Sequence, residues 1–147
     1  MSLKDRLLED MKAAMKEKDL VRKNAVQMVR AAILQVEKDD KITLDDEKIL
    51  EVIYKEVKKR KDALPEYEKS GRQDLIDDLN KEIEVLMSYL PKQLTEQELE
   101  QMVKETIQEL NASSMKDMGK VMSSMMSKTK GRADGKTINA LVKKYLA

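Results

Sequence analysis

The sequence predicts an all-α fold in two parts, and three observations carry that prediction. Only four Gly and two Pro occur in 147 residues, too few to punctuate the many turns of a β protein. Glu, Lys, Leu, Met and Ala, all good helix formers, are abundant along the whole chain. Apolar residues recur at three- and four-residue intervals, the spacing that lines up one face of a helix. A chain of this length holds one domain or two small ones and buries about 68% of its unfolded surface.

The helices follow in order. Leu3, Leu7, Leu8, Met11, Ala14 and Met15 form the first stripe, opened by Ser2 with Asp5 three residues on. Asp19 caps a second stripe of Val21, Ala25, Met28, Val29, Ala32, Ile33 and Val36, closed by the polar run Glu37 to Lys41. Thr43 with Asp46 opens a third, carrying Ile49, Val52, Ile53, Val57, Leu64 and Tyr67 and ending near Ser70-Gly71; Pro65 is expected to kink it or split off its last turn. A fourth runs from about Asp74 through Leu75, Ile76, Leu79, Ile83, Leu86, Met87 and Leu90 until Pro91 stops it.

Leu94, Thr95 and Glu98 then supply a capping box, and Leu94 with Leu99 a hydrophobic staple. This marks a junction, with an N-terminal bundle of about four helices over 1 to 93 and a C-terminal three-helix domain over 94 to 147. The last three helices are expected at about 96 to 111, 115 to 127 and 135 to 146, the second after Ser114 and the third capped by Asp134.

Absences limit the chemistry. There is no Cys, His, Trp or Phe, so thiol nucleophiles, imidazole bases and Cys/His zinc sites are excluded, and no catalytic residue stands out. No cofactor and no metal are implied, because Asp39, Asp40, Asp45 and Asp46 lack the spacing of a calcium loop and sit where helix starts favour acids. The core must be aliphatic, and the stripe Met115, Met118, Met122, Met125 and Met126 reads as core filler. No apolar run approaches the ~20 residues of a membrane span, and Met1 to Glu9 alternate charge, which together suggest a soluble cytoplasmic protein with no membrane partner.

Charge is unevenly placed. The net value is +1, from 29 Lys and Arg against 28 Asp and Glu. Residues 113 to 147 hold eight bases and two acids, +6, which leaves 21 bases and 26 acids, −5, in residues 1 to 112. Within the basic part the run Lys128-Thr129-Lys130-Gly131-Arg132-Ala133-Asp134-Gly135-Lys136 joins two helices. Gly131 and Gly135 would let a ligand approach the backbone, the following helix start favours anions, and Lys130, Arg132 and Lys136 surround it with positive charge. A second cluster, Lys55 to Lys61, reads as structural: Glu56 and Arg60 fall beside the apolar stripe, with Arg60 reaching towards Glu82 or Glu84.

The segments KEVKKRK (55 to 61), EYEKSGRQDL (66 to 75), EIEVLMSYLPKQL (82 to 94), DMGKVM (117 to 122) and KGRADGKTIN (130 to 139) together resemble the GatB/YqeY family, its stand-alone YqeY-like members in particular. The order is kept over essentially the whole chain, and Leu64-Pro65 is the one departure. The resemblance implies an all-helical fold in two parts and a link to tRNA, because a related domain forms the tail of the B subunit of the glutamine-dependent tRNA amidotransferase. Three functions follow as expectations. The first is a non-catalytic tRNA-associated binding or adaptor protein whose basic domain contacts RNA backbone through Lys120, Lys128, Lys130, Gly131, Arg132, Gly135 and Lys136. The second is an amidotransferase-like activity, carbon–nitrogen ligation with glutamine as amide donor. The third is a helical docking module for amidotransferase subunits or another tRNA-handling protein. Without Phe or Trp, RNA would be read by shape and phosphates instead of base stacking.

Overall fold

The computed structural model describes residues 1–147, all helix and connecting turn, in two compact units, Met1–Leu90 and Pro91–Ala147. The first unit contains α1 (Leu3–Lys16), α2 (Leu20–Asp40), α3 (Asp46–Ser70) and α4 (Gln73–Met87). The second contains α5 (Glu96–Glu109), one 3-10 turn (Met115–Asp117), α6 (Met118–Lys128) and α7 (Gly135–Leu146).

Most helix starts are where polar side chains can take the orphan backbone N–H groups. Ser2 accepts from the Asp5 amide, Asp19 from Arg22, Thr95 from Glu98 and Asp134 from Lys136. The third start differs from the expectation. Asp45, not Thr43, caps α3 by accepting from the Lys48 amide at 2.9 Å, while Asp46 accepts from the Leu3 amide at 3.0 Å and ties the starts of α1 and α3 together. Leu44 is buried, which fixes the register of the turn and leaves Asp45 as the residue at the helix mouth.

The helix α3 also runs unbroken through Pro65. The ring removes the N–H that would bond the Lys61 carbonyl. Lys61 and Pro65 are both exposed, so water can serve that carbonyl and the helix continues.

The first core is aliphatic: Leu7 of α1, Val26, Val29 and Ile33 of α2, Ile49, Ile53 and Val57 of α3, and Leu86 of α4, joined by Tyr89. Tyr89 donates to the Asp10 carboxylate and stacks under the Arg6 guanidinium, 4.5 Å from the ring centre. Burial, then the Asp10 partner, pushes its hydroxyl well above the usual tyrosine range. Glu37 closes the turn after α2 by accepting from the Lys4 ammonium and the Leu44 amide, and the Lys4 bond is the main cause holding its carboxyl below the usual range.

Arg60 is buried as the sequence suggests. Its Nη1 lies 3.6 Å from Glu56 Oε1 and its Nη2 3.7 Å from Glu82 Oε1, joining α3 to α4. Nη1 also donates to the Glu56 carbonyl at 3.0 Å, and Nη2 meets the Met28 sulfur of α2 at 3.4 Å.

The second unit closes its own core from Leu99 and Val103 of α5, Val121 and Met125 of α6, and Ile138, Leu141, Val142 and Leu146 of α7. The methionine stripe divides. Met125 is fully buried and Met118 and Met122 pack against the core, but Met115 and Met126 are 45% and 46% exposed. Met118, Met122 and Met125 share one helical face, whereas Met115 precedes α6 and Met126 lies at the edge of that face, about 100° round from Met125. Pro91 to Gln93, placed with the first domain by sequence, pack with the second unit, because their backbone and side chains bond to its basic loop.

Candidate nucleic-acid interface

The loop between α6 and α7 is built from its own backbone. Thr129, buried at the end of α6, donates from Oγ1 to the Met125 carbonyl at 2.8 Å, and the Arg132 amide returns to the Thr129 carbonyl at 2.8 Å. That tight turn places Gly131 at φ +70°, the left-handed region that a side chain disfavours.

The carbonyls of this turn point at the segment entering the unit. Gln93 Nε2 donates to the Gly131 carbonyl at 2.6 Å, and the Leu94 amide donates to the Arg132 carbonyl at 3.0 Å. Arg132 answers through Nε, which donates to the Lys92 carbonyl at 3.0 Å. The loop read from sequence as open backbone is therefore a clasp on residues 91 to 94.

The two glycines have different reasons. Gly131 is required by the turn. Gly135 has no such φ, and a Cβ there would meet only the Met126 side chain, at 3.7 and 3.8 Å, which is ordinary contact. Gly131→Ala is thus expected to cost the second unit about 1–2 kcal/mol. Gly135→Ala is expected to leave stability unchanged or raise it by about 0.5 kcal/mol. Urea unfolding of the two variants checks the contrast; equal losses would show that the turn is not what holds Gly131.

The predicted cations fare unequally. Lys128 is held at 2.9 Å from Glu109 Oε2 and 3.0 Å from Thr106 Oγ1, and Thr106 is itself fully buried, so this ammonium is committed to the fold. Lys120 is 4.0 Å from Asp117 and lies eight residues from Lys128 along α6, about 12 Å from the loop end of the helix. Lys130 and Asp134 each have partners in the fold. Arg132 is half-buried with Nε engaged, which leaves its terminal amino groups as the presenting edge. Lys136 is exposed at the first turn of α7 beside Gly135.

Three exposed cations lie outside the set that the sequence singles out. Lys143 lies seven residues after Lys136, two turns along the same exposed face of α7 and about 10 Å away. Lys116 is exposed in the 3-10 turn, and Lys92 is exposed on the clasped segment. The Lys136 to Lys143 repeat was visible as an i, i+7 spacing; the place of Lys92 had no sequence signal, because it depends on the clasp.

The acids of α5 temper the field. The second unit as a whole holds ten Lys and Arg against seven Asp and Glu, +3, and the first holds 19 against 21, −2. Glu109 takes Lys128, and Glu100 lies 3.5 Å from Lys144. The Tyr145 hydroxyl donates to Glu100 and is the main cause, ahead of Lys144, that keeps this carboxyl below the usual range. Lys104 and Lys144 also flank the Tyr145 ring at 5.2 and 5.3 Å. The charge left over sits at Lys92, Arg132, Lys136 and Lys143, and at Lys116.

This is a small all-helical protein whose second unit carries the positive excess. A family model described as a Yqey-like protein matches residues 4–146, and the chain belongs to that family. Its curated relatives include proteins named altered inheritance of mitochondria protein 41, mitochondrial. The one from Kluyveromyces lactis is 37% identical over 84 residues, covering 56% of this chain and 45% of the relative. That from Pyrenophora tritici-repentis is 29% identical over 130 residues, 87% of this chain and 71% of the relative. That from Candida glabrata is 35% identical over 86 residues, 57% and 47%. The matches thus span about half the length of the two yeast relatives. The mitochondrial names overturn the cytoplasmic expectation. Composition had no power to make that distinction, because a charged helical surface is equally at home in any aqueous compartment, and addresses are read by receptors, not by the fold.

Proposed function

We propose that this protein is a non-catalytic RNA-binding module that grips tRNA by its backbone through the second unit. The observation that carries the reading is the row formed by the half-buried Arg132, just before α7, and the exposed Lys136 and Lys143 on its outer face, with Lys116 as a further exposed cation of the unit. The resemblance to the tail of a tRNA amidotransferase subunit supports tRNA as the substrate class. Cations on a rigid helix suit phosphates of folded RNA, whose deep major groove hides its bases.

About four phosphate contacts give a slope of roughly −3 to −4 for log K against log salt. Filter binding of total tRNA between 50 and 200 mM salt measures it. Lys136→Glu and Lys143→Glu should each lower the slope by about 1. These are cleaner probes than Lys128 or Arg132, whose side chains also hold the fold. No binding at 50 mM salt, or full binding by the double variant, overturns the proposal. Ammonia release from glutamine by the purified chain would overturn its non-catalytic part.

A further inference from the structure

We infer that the segment Pro91–Gln93 is itself part of the RNA-contacting surface, with Lys92 supplying a phosphate contact and Gln93 positioning the loop beside it. This rests on the RNA reading above and extends it to residues that sequence assigned to the other domain.

Four hydrogen bonds place the segment. Gln93 Nε2 bridges the Gly131 and Pro91 carbonyls at 2.6 and 3.0 Å, the Leu94 amide reaches the Arg132 carbonyl at 3.0 Å, and Arg132 Nε reaches the Lys92 carbonyl at 3.0 Å. The last bond does two things. It fixes the plane of the guanidinium by its inner nitrogen, so the two outer amino groups are presented as a fork, the geometry that meets a phosphate in two parallel bonds. It also sets the Lys92 backbone directly against Arg132, so the exposed Lys92 side chain starts beside that fork. The ligand class is the phosphate backbone of folded RNA, with adjacent phosphates shared between Lys92 and Arg132. Gln93 touches no ligand in this arrangement. It holds the Gly131 turn, and through it the position of Arg132.

The experiment uses the full chain and total tRNA. Lys92→Glu should weaken binding about tenfold at 50 mM salt, with the slope of log K against log salt reduced by about 1. Lys69→Glu, the same charge change on the exposed end of α3 in the first unit, should leave the slope unchanged. Gln93→Ala should weaken binding about threefold with the slope unchanged, the signature of a positioning residue, since no phosphate contact is lost. If Lys136→Glu weakens binding but Lys92→Glu does not, or if Lys69→Glu lowers the slope as much as Lys92→Glu, this inference falls while the RNA reading stands. If the unaltered chain does not bind, both fall. Unchanged affinity in Gln93→Ala overturns the positioning role.

Discussion

Arg60→Leu is expected to destabilise the first unit by about 3 kcal/mol, the largest loss we assign to any single polar side chain. The reason is what the substitution leaves behind. Glu56 is only 6% exposed, and its buried partner is the Arg60 guanidinium, 3.6 Å away; Glu82 of α4 loses the same partner. Breaking a buried pair from one side typically costs about 3–5 kcal/mol, because the remaining carboxylate is stranded in a poor solvent. Lys59, 3.1 Å from Glu56 and largely in water, remains and holds the loss to the lower end. Replacing both members, Glu56→Leu with Arg60→Leu, should bring stability back to within about 1 kcal/mol of the starting value, since desolvation and attraction nearly cancel in such pairs. Hydrogen exchange of the α3 amides reads the unit directly. A double variant as unstable as the single one would show that Arg60 matters for its packing, where its stem covers the seam beside Met28, and not for the charge it neutralises.

Pro65→Ala works in the opposite direction. A proline inside a helix costs about 3 kcal/mol through the lost bond and the clash with the carbonyl four residues back. Part of this is offset because proline also restricts the unfolded chain, by roughly 0.4–1 kcal/mol. The expected gain is about 2 kcal/mol, or roughly 10 °C in the melting temperature of a unit this size. Nothing at the site opposes the change, because Pro65 and Lys61 are exposed and the new amide would bond the Lys61 carbonyl. A thermal melt that does not move would mean that the turn around Pro65 is already held by contacts that outweigh the backbone.

These two positions also show where sequence reasoning succeeds and stops. Arg60 was legible because its place on the helix wheel, beside the Ile49, Ile53 and Val57 stripe, leaves a long cation nowhere to go except across the seam. Caps at Ser2, Asp19, Thr95 and Asp134 were legible for the same local reason, since each needs only the residue and the helix that follows. Of the two outcomes expected of Pro65, splitting off the last turn does not occur, because whether a helix continues past a proline depends on water at the orphaned carbonyl, a property of the packed surface. Thr43 lost its expected role to Asp45 because burial of Leu44, a tertiary event, set the phase of the turn. In the basic loop the residue types were visible but their assignments were not. Lys128 was counted as a ligand contact although Glu109 and Thr106, nineteen and twenty-two residues earlier, hold it. That Lys92 lies beside the basic loop is not legible in sequence, because its neighbour in space, Arg132, is forty residues on.

The absence of histidine, first noted as a limit on catalysis, has a different meaning for the surface. The carboxyls of Glu37, Asp74 and Glu100 are held below the usual carboxylate range, chiefly by side-chain bonds from Lys4, Arg72 and Tyr145. Burial and the Asp10 carboxylate push the Tyr89 phenol upwards, away from the neutral range. Without His, the chain lacks the one side chain whose ordinary pKa places its charge change between about pH 5 and 8. The field around α7 is built from Lys and Arg, and the ions that share the solution with it screen it within about 8 Å at physiological salt.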